Sequence, residues 1–411
     1  MKVLEISECF PNKLKPVTGE FIYKHVKALS GLCDVVTLIP VRYIPPKEIL
    51  SYNPAKLISN LTNWFTLIND TKTFSEGNLK VIYFGYVSLP RPYFEKIDNE
   101  FINYFFYNKA LKLLGGFSPD VIYCNWIRPW AELSKKLADN FNIPLIIDHH
   151  EDIPTLKKLF PADFKTFLKT FKKADKIIVH SSLNKSELEN EDPDLKDISI
   201  CYLGQGLNII DRDREFSIGI KKLICVSHLS ERRKNIDVLI NSVSVLNKNY
   251  PSGNDIYELA IAGDGILKSE YEELSERLNL KNIIFKGEVS QKGVEHLLSE
   301  SDIFILPSYP EAFGVVLIEA LAKGLPVITC EGNGGGEELK KLGYPAVLVK
   351  PGSPEEMAEA ISELSQDETR MKAMSHKGVE IVRKYFTWEK NAENTYQSIR
   401  ETIKKFNTEY P

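Results

Sequence analysis

The stretch that decides the fold runs from Asp302 to Glu338 and has the sequence DIFILPSYPEAFGVVLIEALAKGLPVITCEGNGGGEE. The apolar run Ile303–Leu306 predicts a buried strand, and the prolines after it predict a loop. A helical stretch from about residue 314 to residue 323 follows, and then a short strand, Val327–Thr329. Strand, loop, helix and strand in this order predict a doubly wound α/β sheet, in which ligands bind at the carboxyl ends of the strands.

Two glutamates frame the loop and the helix of this stretch, Glu311 before the helix and Glu319 inside it. A helix that begins near Gly314 offers unpaired N–H groups and a positive dipole end, which suit a phosphate. Gly314 also lets a phosphate approach the backbone closely. Carboxylates accept hydrogen bonds from hydroxyl pairs. A diphosphate flanked by two polyols is a nucleotide sugar, so we predict donor contacts at Phe313, Gly314, Val315 and Glu319, and a catalytic role for Glu311.

The full pattern is more specific than two spaced glutamates, which alone would suggest a solvated helix. The segment EAFGVVLIE, within PS-x-x-E-x-F-G-x-x-x-x-E-A-x-A-x-G-x-P-V, resembles the Glu-x7-Glu signature of retaining glycosyltransferases of the GT-B fold, family 4. The resemblance implies an α/β protein with two Rossmann-like doubly wound domains that face each other across a cleft. It also implies a C-terminal helix that crosses back to the first domain.

Length and composition fit this architecture. With 411 residues, 43% of them hydrophobic, the chain is long enough for two domains with sizeable cores. The net charge of −4 argues against nucleic-acid binding. The start, MKVLEISECF, lacks the pattern of a signal peptide, and there is no run of 18 apolar residues. The six cysteines are scattered without CxxC pairs, so we expect free thiols in a cytoplasmic protein.

The domain plan follows from the predicted elements and the resemblance. Residues 1–205 are predicted to form an acceptor-side Rossmann-like domain and residues 206–387 a nucleotide-sugar-binding one. Residues 388–411 are predicted to form the helix that returns to the first domain.

The first loop of the chain leads from a strand, Lys2–Ser7, to a helix that opens at Gly19. No G-x-G-x-x-G follows the strand, so a dinucleotide site is disfavoured. The resemblance implies that Gly19 contacts the donor or the acceptor. The alternative is a helix start that needs a conformation favourable to glycine.

Two polar positions follow later strands of the first half. The resembled family often has a histidine near the donor sugar where this chain has Asn125. Asn125 can hydrogen-bond a sugar hydroxyl but does not titrate, so it is a candidate catalytic residue while a histidine base is excluded there. The segment from Asp148 to Asp152, DHHED, stands where the family often has T-x-H-G-x-D, which implies that His149 or His150 contacts the donor sugar or the acceptor. Adjacent residues of an extended strand point to opposite faces, so the two histidines do not easily share an ion. We expect no metal, and a helix-cap role is the alternative for Asp152.

The segment 156–176 combines seven lysines and two aspartates with phenylalanines near helical spacing. A basic amphipathic helix is typical of contact with an anionic membrane. The alternative is a core helix with a lysine-rich outer face. The resemblance favours a glycan or lipid-linked acceptor and a cytoplasmic protein that is peripheral at the membrane.

The segment Ser227–Asn235 resembles the family's G-R-L…K-G motif, in which arginine and lysine clamp the donor diphosphate. Lys234 matches the lysine, and His228 stands where arginine is usual, so the resemblance implies a catalytic role for both. A neutral histidine stabilises a leaving diphosphate less than a guanidinium does. Either His228 is protonated when the phosphates bind, or Arg232 or Arg233 supplies the positive charge.

Three further positions complete the predicted donor site. Gly263 and Gly265, in the turn after a strand, would let the donor approach the backbone. Val289 lies where members of the resembled family hold the base with backbone groups.

The sequence as a whole therefore predicts a metal-independent, retaining hexosyltransferase whose substrates are a nucleotide diphosphate sugar and an acceptor hydroxyl, with no other cofactor. Its context would be surface polysaccharide or lipid-linked glycan synthesis. Asn125 and His228 depart from the family pattern, so two alternatives stay open. One is a weakly active sugar-nucleotide-binding scaffold at the membrane, and the other is a sugar-nucleotide epimerase.

Overall fold

The computed structural model describes residues 1–12, 19–43, 53–69, 71–87, 95–128, 130–161, 163–195, 197–211, 213–249 and 257–409. The chain divides into two compact units. The first comprises Met1–His180, Lys185–Tyr202 and Trp388–Pro411, and the second comprises Ser181–Asn184 and Leu203–Thr387. The C-terminal helix thus belongs to the first unit.

The first unit is built on a sheet that has eight strands among the described residues, in the order β3-β4-β2-β1-β5-β6-β7-β8. These strands are β1 (Lys2–Ile6), β2 (Asp34–Tyr43), β3 (Lys72–Glu76), β4 (Leu79–Val87), β5 (Val121–Asn125), β6 (Leu145–Asp148), β7 (Lys176–Val179) and β8 (Ile198–Ile200). β3 runs antiparallel to β4, whereas the other neighbouring strands are parallel. Because both faces of the sheet are covered, the central strands are mostly apolar, with a few buried polar residues at or near their carboxyl ends. Val3 packs in one core cluster and Leu4 in the other.

The helices of this part of the chain are α1 (Glu20–Leu29), α2 (Pro54–Asn69), α3 (Glu95–Leu114), α4 (Ala131–Phe141), α5 (Ile153–Leu159), α6 (Phe164–Phe171), α7 (Ser182–Glu191) and the C-terminal α15 (Trp388–Glu409). α15 packs against α1, and a buried hydrogen bond of 2.7 Å joins His25 Nδ1 to Asn391 Oδ1. This polar contact fixes the returning helix on the first sheet.

The second unit is built on a parallel sheet with the order β11-β10-β9-β12-β13-β14 within the described residues. Its strands are β9 (Lys221–Val226), β10 (Tyr257–Ala262), β11 (Ile283–Gly287), β12 (Ile303–Leu306), β13 (Val327–Cys330) and β14 (Val347–Val349). Its helices are α8 (Ile236–Asn249), α9 (Lys268–Arg277), α10 (Gln291–Glu300), α11 (Val315–Ala322), α12 (Gly334–Lys341), α13 (Pro354–Gln366) and α14 (Glu368–Tyr385). The strand order reverses between β9 and β12, which is where doubly wound sheets bind their ligands.

The stretch from Asp302 to Glu338 folds as predicted, with β12 at the predicted residues and α11 and β13 close to them. α2 and β3, which lie between β2 and β4 in the chain, are not among the elements predicted from the sequence. All five residues of β3 are exposed, so this edge strand has no apolar alternation that would identify it. Asp152 caps α5, because its side chain accepts a hydrogen bond of 2.7 Å from the backbone N–H of Thr155.

The basic segment 156–176 holds parts of two short helices, α5 and α6, rather than one continuous helix. The phenylalanines of α6 are buried in the core, as the alternative reading expected. Several lysines pair with acids of the first unit: Lys157 with Glu191, Lys172 with Asp192 and Lys173 with Glu132. Membrane contact by this segment stays a prediction. Among the described helices, none is both long enough and apolar enough to cross a membrane.

Candidate active site

The candidate site of the second unit lies where the loops after β9 and β12 meet. The first loop ends in a short 3-10 helix, Arg232–Lys234, which Asn235 closes in a left-handed conformation. Asn235 Nδ2 donates a hydrogen bond of 3.0 Å to the carbonyl of Pro307, and the N–H of Tyr309 donates one of 2.8 Å to the carbonyl of Arg233. These bonds fix the two loops to each other, because β9 and β12 are neighbours in the sheet.

Lys234 and Glu311 form an ion pair at this junction, with 2.6 Å between Lys234 Nζ and Glu311 Oε2. Their side chains are only 14% and 12% exposed. In such a partly dry place the attraction between opposite charges is stronger than it would be in water. Two residues that lie far apart in the sequence, both predicted to be catalytic, are therefore in direct contact.

The amino end of α11 lies beside this pair. Gly314 is the cap residue with φ of 75°. Because glycine has no side chain, the cap residue accepts no side-chain hydrogen bond from the N–H groups of the first turn. A side chain at Gly314 would also collide, since a Cβ there would lie 2.9 Å from Leu306 Cδ2. Val315 is the first helical residue and is half-buried. This helix end can stabilise an anion.

Phe313 precedes this helix end, and its ring is buried against Phe386, with 5.7 Å between the ring centroids. A donor contact by Phe313 would therefore use its backbone. Glu319 lies in the second turn of α11 and is half-buried.

The glycine-rich turn of the stretch 302–338 supports the loop that carries Glu311. The N–H of Gly334 donates a hydrogen bond of 2.9 Å to the carbonyl of Glu311. A Cβ on Gly335 would lie 1.8 Å from the carbonyl oxygen of Phe313, so only glycine fits there. These glycines also start α12.

Gly263 and Gly265 make close approaches to the protein's own backbone. A Cβ on Gly263, which has φ of 141°, would lie 1.8 Å from the carbonyl oxygen of Ser227. A Cβ on Gly265 would lie 2.3 Å from the carbonyl carbon of Leu229. Both glycines are thus required for packing the loop after β10 on the loop after β9, and their donor contacts stay predictions. Val289 is half-buried just before α10, whose cap residue is Ser290.

The three basic residues near Lys234 have different surroundings. His228 is exposed. Arg232 forms a two-pronged ion pair with Glu270, at 2.8 Å for both bonds, on the surface. Arg233 donates a hydrogen bond of 3.0 Å to the carbonyl of Pro310, and its Nη1 lies 3.8 Å from Glu311 Oε2. Of the two arginines, Arg233 is the one placed to add positive charge beside Glu311.

Comparisons with known proteins agree with this arrangement. Residues 210–380 match the family model described as glycosyl transferases group 1. The chain is 24% identical to a Bacillus subtilis protein, TuaC, that is named for glycosyl transfer in teichuronic acid biosynthesis, over 98% of this chain and all of that one. Sucrose-phosphate synthase from Thermosynechococcus elongatus superposes with a TM-score of 0.71 at 17% identity, covering 98% of this chain and 99% of that one. Anabaena HepE, solved with UDP and glucose, superposes with a TM-score of 0.66 at 15% identity, covering 98% of this chain and all of that one.

Residues 210–380 thus belong with the group 1 glycosyltransferases, and the chain has the GT-B fold. The two Rossmann-like sheets and the C-terminal helix predicted from the sequence are therefore confirmed.

In the first unit of this glycosyltransferase, Gly19 is the cap residue of α1 with φ of 74°. A Cβ there would lie 2.4 Å from the backbone of Cys9. The conformational alternative offered for Gly19 is therefore what the structure displays, and contact with a substrate stays a prediction.

Asn125 ends β5 and is buried. Its Nδ2 donates a hydrogen bond of 2.6 Å to Glu5 Oε1, and its Oδ1 lies 3.2 Å from His150 Nε2. Burial raises the pKa of Glu5 well above its usual value. Both ends of the Asn125 amide thus have protein partners, and its predicted catalytic role has no direct support from these contacts.

His149 and His150 point to different surroundings, as expected for neighbours on an extended segment. The ring of His149 is fully buried with its edge on Phe171, and burial lowers its pKa to about 4. A contact between this ring and a donor would require the core to open, and the donor contact of His149 stays a prediction. His150 lies instead beside Asn125 and His180, and burial lowers its pKa to about 3.

His180 follows β7 and was not singled out from the sequence. Its Nε2 lies 2.9 Å from Asp148 Oδ1. Burial lowers the pKa of His180, but the Asp148 carboxylate outweighs burial and the net shift is upward. Only the strand order brings these residues together, since β6 and β7 are parallel neighbours.

We predict that Arg233→Ala weakens the binding of the nucleoside diphosphate about tenfold or more, because a charge-assisted hydrogen bond contributes roughly 1.5–3 kcal/mol. Arg232→Ala is the matched control, since exposed ion pairs contribute about 0–1 kcal/mol. Isothermal calorimetry with UDP, GDP and ADP measures both variants. Equal affinities for the two variants would show that Arg233 has no special place at the site.

Proposed function

We propose that this glycosyltransferase moves a sugar from a nucleoside diphosphate sugar to an acceptor hydroxyl, with retention of configuration at the anomeric carbon. The observation that supports this most is the Lys234–Glu311 ion pair between the ends of β9 and β12, beside the open amino end of α11. The cation and the helix end can bind a diphosphate, and the carboxylate can bind the sugar attached to it.

In this proposal the donor diphosphate replaces Glu311 as the main ion-pair partner of Lys234 and lies against the first turn of α11. An ammonium group has three hydrogen-bond donors, so Lys234 can contact both phosphates or keep Glu311 as one partner. Negative charge grows on the leaving diphosphate as the glycosidic bond breaks. Donors fixed in advance at such a place typically contribute about 2.7–4 kcal/mol each to transition-state stabilisation.

Glu311 then acts on the transferred sugar. Its carboxylate accepts hydrogen bonds from sugar hydroxyls and stabilises the positive charge that develops at the anomeric carbon. The backbone bond from Gly334 and the fit of Gly335 under Phe313 hold its loop in place. Glu319, in the second turn of α11, binds the ribose hydroxyls.

The proton balance needs no protein base. The bond from the anomeric carbon to the phosphate oxygen breaks, and the acceptor oxygen bonds to the same face of that carbon. The acceptor hydroxyl gives its proton to the leaving phosphate. This suits a chain with Asn125 in place of histidine, and the charges of Lys234 and Arg233 stand in for a metal ion at the diphosphate.

The acceptor class is proposed from the relatives. TuaC is named for teichuronic acid biosynthesis, and HepE was solved with UDP and glucose. We accordingly propose a UDP-sugar or similar donor and a glycan or lipid-linked acceptor. Membrane contact would use the exposed residues Lys158, Leu159, Lys165 and Lys169 of the basic segment.

The test begins with a thermal-shift panel of UDP-, GDP- and ADP-sugars, which selects the donor. Proton NMR of the product then reports the anomeric configuration, with and without added Mg²⁺. We expect a retained anomer, one nucleoside diphosphate released per transfer and no dependence on Mg²⁺. An inverted anomer would contradict the proposal. An isomerised free nucleotide sugar would identify an epimerase, and binding without release would identify a scaffold.

Glu319→Ala is predicted to weaken binding of the selected nucleoside diphosphate about 10- to 100-fold, because hydrogen bonds to a charged group contribute roughly 1.5–3 kcal/mol. Calorimetry measures this loss. The matched control is the 2′,3′-dideoxy nucleotide, to which wild type and variant should bind with equal affinity. A loss of the same size with the dideoxy nucleotide would remove Glu319 from the ribose.

A further inference from the structure

A cluster of polar side chains lies at the carboxyl ends of β5, β6 and β7 in the first unit. Asp148 is the last residue of β6, His150 follows it by two positions, and His180 follows β7 directly. One ligand atom from each of these three residues lies within 4.8 Å of the others. The mechanism proposed above uses none of them.

The distances within the cluster match those between the ligands of one small cation. Asp148 Oδ1 lies 2.9 Å from His180 Nε2 and 3.6 Å from His150 Nε2. Asn125 Oδ1 lies 3.2 Å from His150 Nε2. In a tetrahedral zinc site with bonds of about 2.0–2.1 Å, ligand atoms are roughly 3.3 Å apart.

Outer hydrogen bonds direct lone pairs into the cluster. His180 Nδ1 donates a bond of 2.8 Å to the carbonyl of Cys201, which leaves a lone pair on Nε2. The Tyr123 hydroxyl donates a bond of 2.6 Å to Asp148 Oδ2, which leaves Oδ1. The Asn125 amide donates to Glu5, and its Oδ1 faces His150 Nε2 inside the cluster. Metal ligands in proteins are commonly held by such outer partners.

The buried atoms of the cluster lack adequate partners of their own. Asp148 and His180 are only 3% and 4% exposed. Although Asp148 Oδ1 and His180 Nε2 are 2.9 Å apart, neither has a hydrogen bond of acceptable geometry. An unsatisfied buried polar group costs about 1–3 kcal/mol. A cation among these atoms would satisfy them together.

We propose that Asp148, His150 and His180, with Asn125 Oδ1 as a fourth ligand, bind one divalent transition-metal ion of the zinc class. Imidazole nitrogens favour zinc and its neighbours over Mg²⁺ or Ca²⁺. The ion joins the ends of three strands of the first unit, so its role is structural. His149 takes no part, because its ring faces Phe171.

Elemental analysis by ICP-MS of the purified full chain tests the site. We expect about one zinc ion per chain, after incubation with Zn²⁺ and gel filtration if not before. Asp148→Ala and His180→Ala should lose it. His149→Leu, a change of the adjacent histidine, is the matched control and should keep it. Zinc retained in His180→Ala, or lost equally in the control, would overturn the assignment.

A second measurement does not depend on variants that fold. Co²⁺ added to the wild-type chain should give the visible absorption bands of tetrahedral cobalt coordinated by nitrogen and oxygen. A folded chain, judged by circular dichroism, that takes up neither Zn²⁺ nor Co²⁺ would overturn the proposal. The cluster would then be held by an imidazolium–carboxylate pair between His180 and Asp148.

Discussion

The contact between Lys234 and Glu311 is the constraint on which the candidate site depends. It joins the loops after β9 and β12, the two strands between which the order of the second sheet reverses. Holding these charges 2.6 Å apart in a mostly buried place requires loops that pack tightly. That requirement explains why Gly263 and Gly335 stand where any Cβ would meet a carbonyl oxygen at 1.8 Å. Charge placement and loop packing are thus one feature of the fold.

The first sheet has a different kind of polar centre. Glu5, Asn125, Asp148 and His180 lie at or near the carboxyl ends of strands that are otherwise apolar, and all four are buried. Buried polar groups are costly unless they are satisfied by one another or by a ligand. The hydrogen bond from Asn125 gives Glu5 Oε1 a partner, and the proposed cation would give one to Asp148 and His180.

Much of the fold was predictable from local pattern. The apolar runs located β12 and its neighbours, and the spacing from Glu311 to Glu319 located the site, because buried parallel strands and glycine turns leave strong local signals. β3 was missed because its residues are exposed, and the break between α5 and α6 was missed because the phenylalanine spacing continued across it. The pairing of Lys234 with Glu311, and of Asp148 with His180, follows from strand order, which no local pattern contains. His149 and His150 were both candidates because spacing cannot tell which of two adjacent side chains faces the core.

A crystal structure of the chain with its nucleoside diphosphate would show whether the diphosphate binds at Lys234 and the amino end of α11. We predict that Lys234 Nζ lies within about 3 Å of a phosphate oxygen, the distance of a charge-assisted hydrogen bond. We also predict that the first turn of α11 faces the same phosphates and that Glu319 faces the ribose. A diphosphate bound elsewhere, with Lys234 still 2.6 Å from Glu311, would contradict these predictions.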